Sequence, residues 1–146
     1  MAVNAFKLFF KSGASNALAE LADSLVCGDA YIIGGQSNSQ PTSSLATYKN
    51  EFCRSFGVQT ATYNSSNYTP ADTNWGISKA DGAVIYWAGP YNVGVWGLYL
   101  QKQIAENNGI PTCIINGGRG SSNIELNLRN NFNQTDLTTT YGRLLY

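Results

Sequence analysis

Two short apolar runs, each stopped by a pair of glycines, do most to limit how this chain can fold. The first lies in DAYIIGGQSN, residues 29 to 38, and the second in PTCIINGGRG, residues 111 to 120. An apolar run of this length bounded by a turn signal reads as a short strand buried on both faces, the kind that builds a parallel sheet. Between them, VGVWGLYLQKQIAENNG places Val93, Trp96, Gly97, Leu100 and Ile104 on one face of a helix. Asn92 can cap that helix, and Gly109 with Pro111 ends it. Strand, helix, strand and glycine turn in this order predict an α/β fold. The strands at 30 to 33 and 111 to 116 should be parallel neighbours, with the helix packed on them by Trp96, Leu100 and Ile104.

The rest of the chain is less regular. Residues 2 to 10 alternate loosely enough for a strand, and SNALAELAD, 15 to 23, reads as a helix or as a loop. From Pro41 to about Asp81 the sequence is polar and loop-like, with a helical reading open at SSLATYKNEF, and so long a loop is usually functional or a lid. GAVIYW, 82 to 87, is a strand or an apolar lining segment, followed by a turn at AGPYN. A length of 146 residues is that of a single domain.

Charge and cysteine content remove several classes of function. Lys and Arg together number 9, equal to Asp and Glu, so there is no basic footprint for nucleic acid or an anionic membrane. No apolar run approaches the ~20 residues that cross a bilayer, and the opening MAVNAFKLFFKSG lacks the pattern of a signal peptide. Cys27, Cys53 and Cys113 form no CxxC pair and the chain has no histidine, which argues against a metal site. Three cysteines fix neither a disulfide framework nor a compartment. Asn64, Asn67 and Asn133 each open an N-x-S/T triplet, a pattern that chance supplies in a chain so rich in Asn, Ser and Thr.

A strand that ends in glycines delivers the next residue to the top edge of a sheet, where open α/β folds hold their ligands. Here that residue is Ser37. If a helix starts there, its amide and dipole would favour an oxyanion, which suits acyl transfer. Ser and Asn after a glycine pair are equally ordinary helix caps, and the G-x-S-x-G elbow is unmatched because position 39 is Ser. INGGRGSSN is likewise either a flexible loop or an oxyanion site; it lacks the lysine and spacing of a P-loop.

Taken as a longer string, CGDAYIIGGQSN closely resembles the nucleophile block of the sialate O-acetylesterase-like carbohydrate esterases, a branch of the SGNH (GDSL-like) hydrolases. IPTCIINGGRGSSNIE, 110 to 125, is similar to a second block of that family, agreeing at Ile110, Pro111, Ile115, Asn116, Gly120, Ile124 and Glu125. GPYNVGVWGLYLQKQIAENN and TTTYGRLLY resemble two of its helices, so that the likeness runs over about residues 23 to 146. The resemblance implies an incomplete three-layer parallel sheet of flavodoxin-like type, the N-terminal half of an esterase domain. It puts Ser37 at the nucleophile position and the Gly120 N–H in the oxyanion hole. Gln36, Asn38 and Asn116 become positioning residues around them. It implies an acetylated carbohydrate as substrate, no cofactor, and a secreted or periplasmic parent protein.

The family's remaining blocks, which carry an Asn and the Asp-x-His base, have no counterpart, and without histidine a Ser-His-Asp triad cannot be assembled. Lys49, Lys79, Glu51, Asp72 and Asp81 lie in segments that could approach Ser37, though a solvated surface charge is the simpler reading of each. The expectation is therefore an esterase half-domain, poorly active alone, whose partner is a missing C-terminal half or a further copy of the chain. The alternative is a non-catalytic glycan-binding or assembly protein, for which Trp75, Trp87, Trp96, Tyr86 and Tyr91 could offer stacking faces. Packing is the plainer role for Tyr86, Trp87 and Tyr91, and Trp96 on the apolar helix face is expected in the core.

Overall fold

The computed structural model describes residues 6–11, 13, 18–39, 47–58, 70–80 and 91–145. In chain order the elements are strands β1 (Phe6–Lys11), β2 (Leu18–Leu25), β3 (Asp29–Ile33), β4 (Cys53–Val58) and β5 (Thr73–Ile77), then helix α1 (Gly94–Asn108) and strand β6 (Thr112–Asn116). Two short helices follow, α2 (Ile124–Asn127) and α3 (Thr140–Leu144). The fold is α/β, with β3-β6-β4-β5 as its main sheet. β3 and β4 both run parallel to β6, and β5 closes the far side antiparallel, so the sheet is mixed rather than purely parallel.

The two glycine-stopped runs form the expected parallel pair, from Asp29 opposite Thr112 to Ile33 opposite Asn116. The start of this pairing depends on Gly28. A Cβ there would overlap the Pro111 carbonyl, which accepts the Asp29 N–H at 3.0 Å. Only glycine lets the two backbones come this close.

Helix α1 lies between the paired strands in sequence and packs on the sheet, but its buried face is turned from the one predicted. Gly94, Gly97, Leu98 and Gln101 are buried, whereas Trp96 is 44% exposed and Leu100 and Ile104 are half-buried. The reason is Gln101. Its Nε2 donates at 3.0 Å to the carbonyls of both Arg54 and Thr112, so a polar side chain holds the helix where an apolar one was expected. Close packing through Gly97, against Ile33, leaves the bulky indole of Trp96 outside. Gly109 ends the helix with its N–H on the Ala105 carbonyl, as predicted, but the N-cap position is Val93 rather than Asn92, whose Oδ1 accepts the Gly94 N–H from one residue further out. The core is Ile33, Ala80, Val93, Leu98 and Ile114, with Tyr31, Tyr48 and Leu100 packed against it.

Three elements were not foreseen. The described part of SNALAELAD, from Leu18 on, is strand rather than helix or loop, because β2 pairs antiparallel with β1. β4 and β5 arise within the stretch read as a long loop, and 47–52 is turn rather than helix. The segment read as a strand or an apolar lining at 82 to 87, with Asp81, Tyr86 and Trp87, lies outside the described residues, as do Asn64 and Asn67.

The layers are incomplete. One face of the main sheet carries α1, while Ile32, Trp75 and Ile77 on the other are 64%, 58% and 41% exposed. The β1–β2 hairpin likewise leaves Phe6, Leu8, Phe9, Phe10, Leu18 and Leu21 exposed, with a Lys7–Glu20 ion pair at 3.1 Å on its surface. Among the described residues β3 pairs with β6 alone, and no strand meets its outer edge.

Candidate active site

The carboxyl ends of β3 and β6 set the site. Beyond Ile33 the chain turns at Gly34 and Gly35, and Gly35 takes φ 137°, a region closed to other residues without strain. Ser37, Asn38 and Ser39 then form a single 3₁₀ turn, closed by the Ser39 N–H on the Gln36 carbonyl at 3.0 Å. A three-residue turn has no appreciable macrodipole, so the helix dipole anticipated behind Ser37 is absent from the described residues, which break off at 40–46.

Beyond Asn116, the Gly117 N–H donates to the Ile33 carbonyl at 2.8 Å and the Arg119 N–H to the Gly35 carbonyl at 3.0 Å. These bonds lace the second glycine loop to the first. Gly120 follows Arg119 directly, and Ser37 stands two residues beyond Gly35. Asn116 secures the second loop from below: its Nδ2 donates to the Val93 carbonyl at 3.1 Å and its Oδ1 accepts the Gly118 N–H at 2.7 Å. It thus ties the end of β6 to the start of α1, and what it positions is backbone.

Ser37 and Asn38 are exposed at this edge, and so is Gln36. Gln36 Oε1 accepts two bonds from Ser37, one from Oγ at 2.6 Å and one from the backbone N–H at 3.1 Å. The serine hydroxyl therefore rests against a carboxamide. A neutral carboxamide oxygen does not remove a proton from an alcohol near neutral pH.

Among the described residues, the candidate substitute bases Lys49, Glu51 and Asp72 do not gather around it. Lys49 and Glu51 precede β4, which runs parallel to β3 and β6, and so they stand at the opposite end of the sheet from Ser37. Asp72 adjoins β5, three strands away from β3, on the order of 14 Å at ordinary strand spacing. The Lys79 backbone is tied to Tyr91 and Val93, and Asp81 lies outside the described residues. Nor do the thiols of Cys53 and Cys113 compete with Ser37 as nucleophiles. Burial pushes both Cys53 and Cys113 above the usual thiol range, which disfavours the reactive thiolate. Among the described residues no group of three His, Cys, Asp or Glu is placed to hold a metal ion. No described helix is long and apolar enough to cross a membrane.

Sequence reasoning named Trp75 as a possible stacking face but did not find Arg54; the two share a groove of about 650 Å³ with Asp29 and Ala22 on the side of the sheet away from α1. Trp75 is braced by Phe56 at 5.0 Å between ring centroids. The groove lies toward the amino ends of β3 and β6, away from Ser37.

No family model matches the chain, and no curated protein does. Among solved structures it matches a carbohydrate acetylesterase from Xanthomonas citri, with 21% identity and a TM-score of 0.55 over 88% of this chain. The chain spans only 31% of the length of that protein. Likeness at this level of identity is likeness of fold: the chain has an incomplete α/β fold of the carbohydrate-esterase kind.

Proposed function

We propose that this chain carries the nucleophile half of a carbohydrate O-acetyl esterase site, of the sialate O-acetylesterase-like SGNH type, and that its general base comes from polypeptide outside the sequence given. The observation that carries this is the Arg119–Gly35 bond, which draws together the loops bearing Ser37 and Gly120 at the carboxyl ends of adjacent parallel strands. The fold shared with a carbohydrate acetylesterase supports the same chemistry.

In this reading Ser37 Oγ attacks the acetyl carbonyl carbon, and the amides of Ser37 and Gly120 hold the oxygen that becomes negative. Asn116 keeps the second loop in place. The proton leaving Oγ must reach a base, and the chain has no histidine to take it. Polypeptide that packed along the edge of β3, which no strand meets among the described residues, would stand beside Ser37 and could supply one.

The chain alone should hydrolyse an aryl acetate or an acetylated xylo-oligosaccharide at no more than the ~10³ to 10⁴-fold over water that a site without its base retains. Addition of a complementing C-terminal esterase segment that binds should raise the rate well above this, and Ser37→Ala should cancel the gain. Brisk turnover by the chain alone, abolished by Ser37→Ala, would reveal a base within it. A stable complex with no gain would favour a binding scaffold, for which the exposed Trp75 and Trp96 are supporting features.

A further inference from the structure

We infer that Gln36 is a built-in occupant of the oxyanion site, a side chain that must turn out before an acyl group can bind. The inference rests on Ser37 being the nucleophile, as proposed above. A backbone N–H can only donate, so the Gln36 atom facing the Ser37 nitrogen at 3.1 Å is the carboxamide oxygen and not its NH₂. That oxygen is a planar carbonyl acceptor at the distance an oxyanion-hole donor keeps from its ligand, about 2.7 to 3.1 Å. The same atom accepts the Oγ hydrogen at 2.6 Å. Gln36 thus takes up the amide that the substrate's oxygen needs and turns the hydroxyl hydrogen toward itself.

The local structure lets the side chain move while the backbone stays. The Gln36 carbonyl accepts from both Ser39 N–H, at 3.0 Å, and Ser39 Oγ, at 2.7 Å. Ser39 is buried at 8% exposure and crowds Gly35, where an added Cβ would come within 2.9 Å of its Oγ. The turn is therefore pinned beneath an exposed Gln36 side chain. Turning it out releases two hydrogen bonds at a solvated surface, an exchange with water that shifts an equilibrium by roughly 3- to 10-fold. A ligand must bring that much extra affinity from the rest of the molecule, so Gln36 raises the threshold for small acyl groups with nothing else to hold them.

Phenylboronic acid tests this on the full chain. Its boron accepts an electron pair from Ser37 Oγ, the O–H proton passes to buffer, and the tetrahedral boronate carries a hydroxyl in place of the ester's oxyanion. Titration at mildly alkaline pH, followed by boron NMR, should show Gln36→Ala binding about 3- to 10-fold more tightly than the unaltered chain. Gln36→Glu, which sets a carboxylate against the incoming negative charge, should bind more weakly than both. A merely supporting role predicts the reverse for Gln36→Ala. Equal or weaker binding by a Gln36→Ala chain with unchanged circular dichroism overturns the inference, while loss of binding in Ser37→Ala leaves the nucleophile assignment standing. Binding that Ser37→Ala does not affect overturns both.

Discussion

Asn116 shows how much of the site is held by one side chain. Its carboxamide spends both ends on backbone, the Val93 carbonyl before α1 and the Gly118 N–H in the second loop, so no aliphatic residue can replace it. Asn116→Ala leaves both groups without that partner and should lower stability by about 1 to 3 kcal/mol. A urea melt with an unshifted midpoint would show that water replaces both bonds. At this scale the sequence was informative where backbone dictates the residue. Gly35, Ser37 and Gly120 stand at turns that strand-stopping glycines mark out, and Asn116 entered through a resemblance in which its neighbours also agreed. The contact of Gln36 with Ser37 could not be read in advance, because it depends on a side-chain rotamer that no spacing encodes.

β3, β6 and α1 were legible as elements because each carries its own signal: apolar runs stopped by glycine, and an apolar period of a helix. β2, β4 and β5 were not. CRSFGV and TNWGI are each interrupted by a glycine and polar residues within a polar stretch, and they become strand through pairing with one another and with β6. The turned face of α1 has the same origin, since Gln101 reads as polar surface until two backbone carbonyls claim it. Gly28 gives the sharpest test at this scale. A methyl group there meets the Pro111 carbonyl, so Gly28→Ala must push the start of β3 off β6 and should cost about 2 kcal/mol or more. Equal thermal unfolding of Gly28→Ala and the unaltered chain would mean that β3 and β6 can separate at Asp29 without loss.

As a whole molecule the chain is short of cover. A parallel sheet is normally buried on both faces, and a two-stranded hairpin is marginal in water without something packed on it. Here Ile32, Trp75 and Ile77 on the sheet and Phe6, Phe10 and Leu21 on the hairpin are exposed together. The expectation of a half-domain came from two missing motifs; such a chain would show the exposed apolar side chains on the sheet and a β3 edge that no strand meets among the described residues. Equal numbers of positive and negative side chains add no net charge to keep copies apart. The chain alone should therefore self-associate as concentration rises, and Phe10→Lys should reduce this without loss of the fold. Light scattering that stays monomeric at all concentrations would count against the surface being sticky.

The open edge of β3 also makes the strand a clock for isotope exchange. Asp29 donates its N–H toward β6 and Ile33 offers its carbonyl there, so by alternation the amides of Tyr31 and Ile33 face the same neighbour. Those of Ala30 and Ile32 face outward, where among the described residues no strand meets them. In deuterated water Ala30 and Ile32 should exchange quickly and Tyr31 and Ile33 slowly, a two-residue beat along a single strand beside the serine. Polypeptide that docks along this edge would slow the fast pair and leave the slow pair as they were. If Ala30 and Ile32 are already as slow as their neighbours in the chain alone, the edge is occupied before any partner arrives.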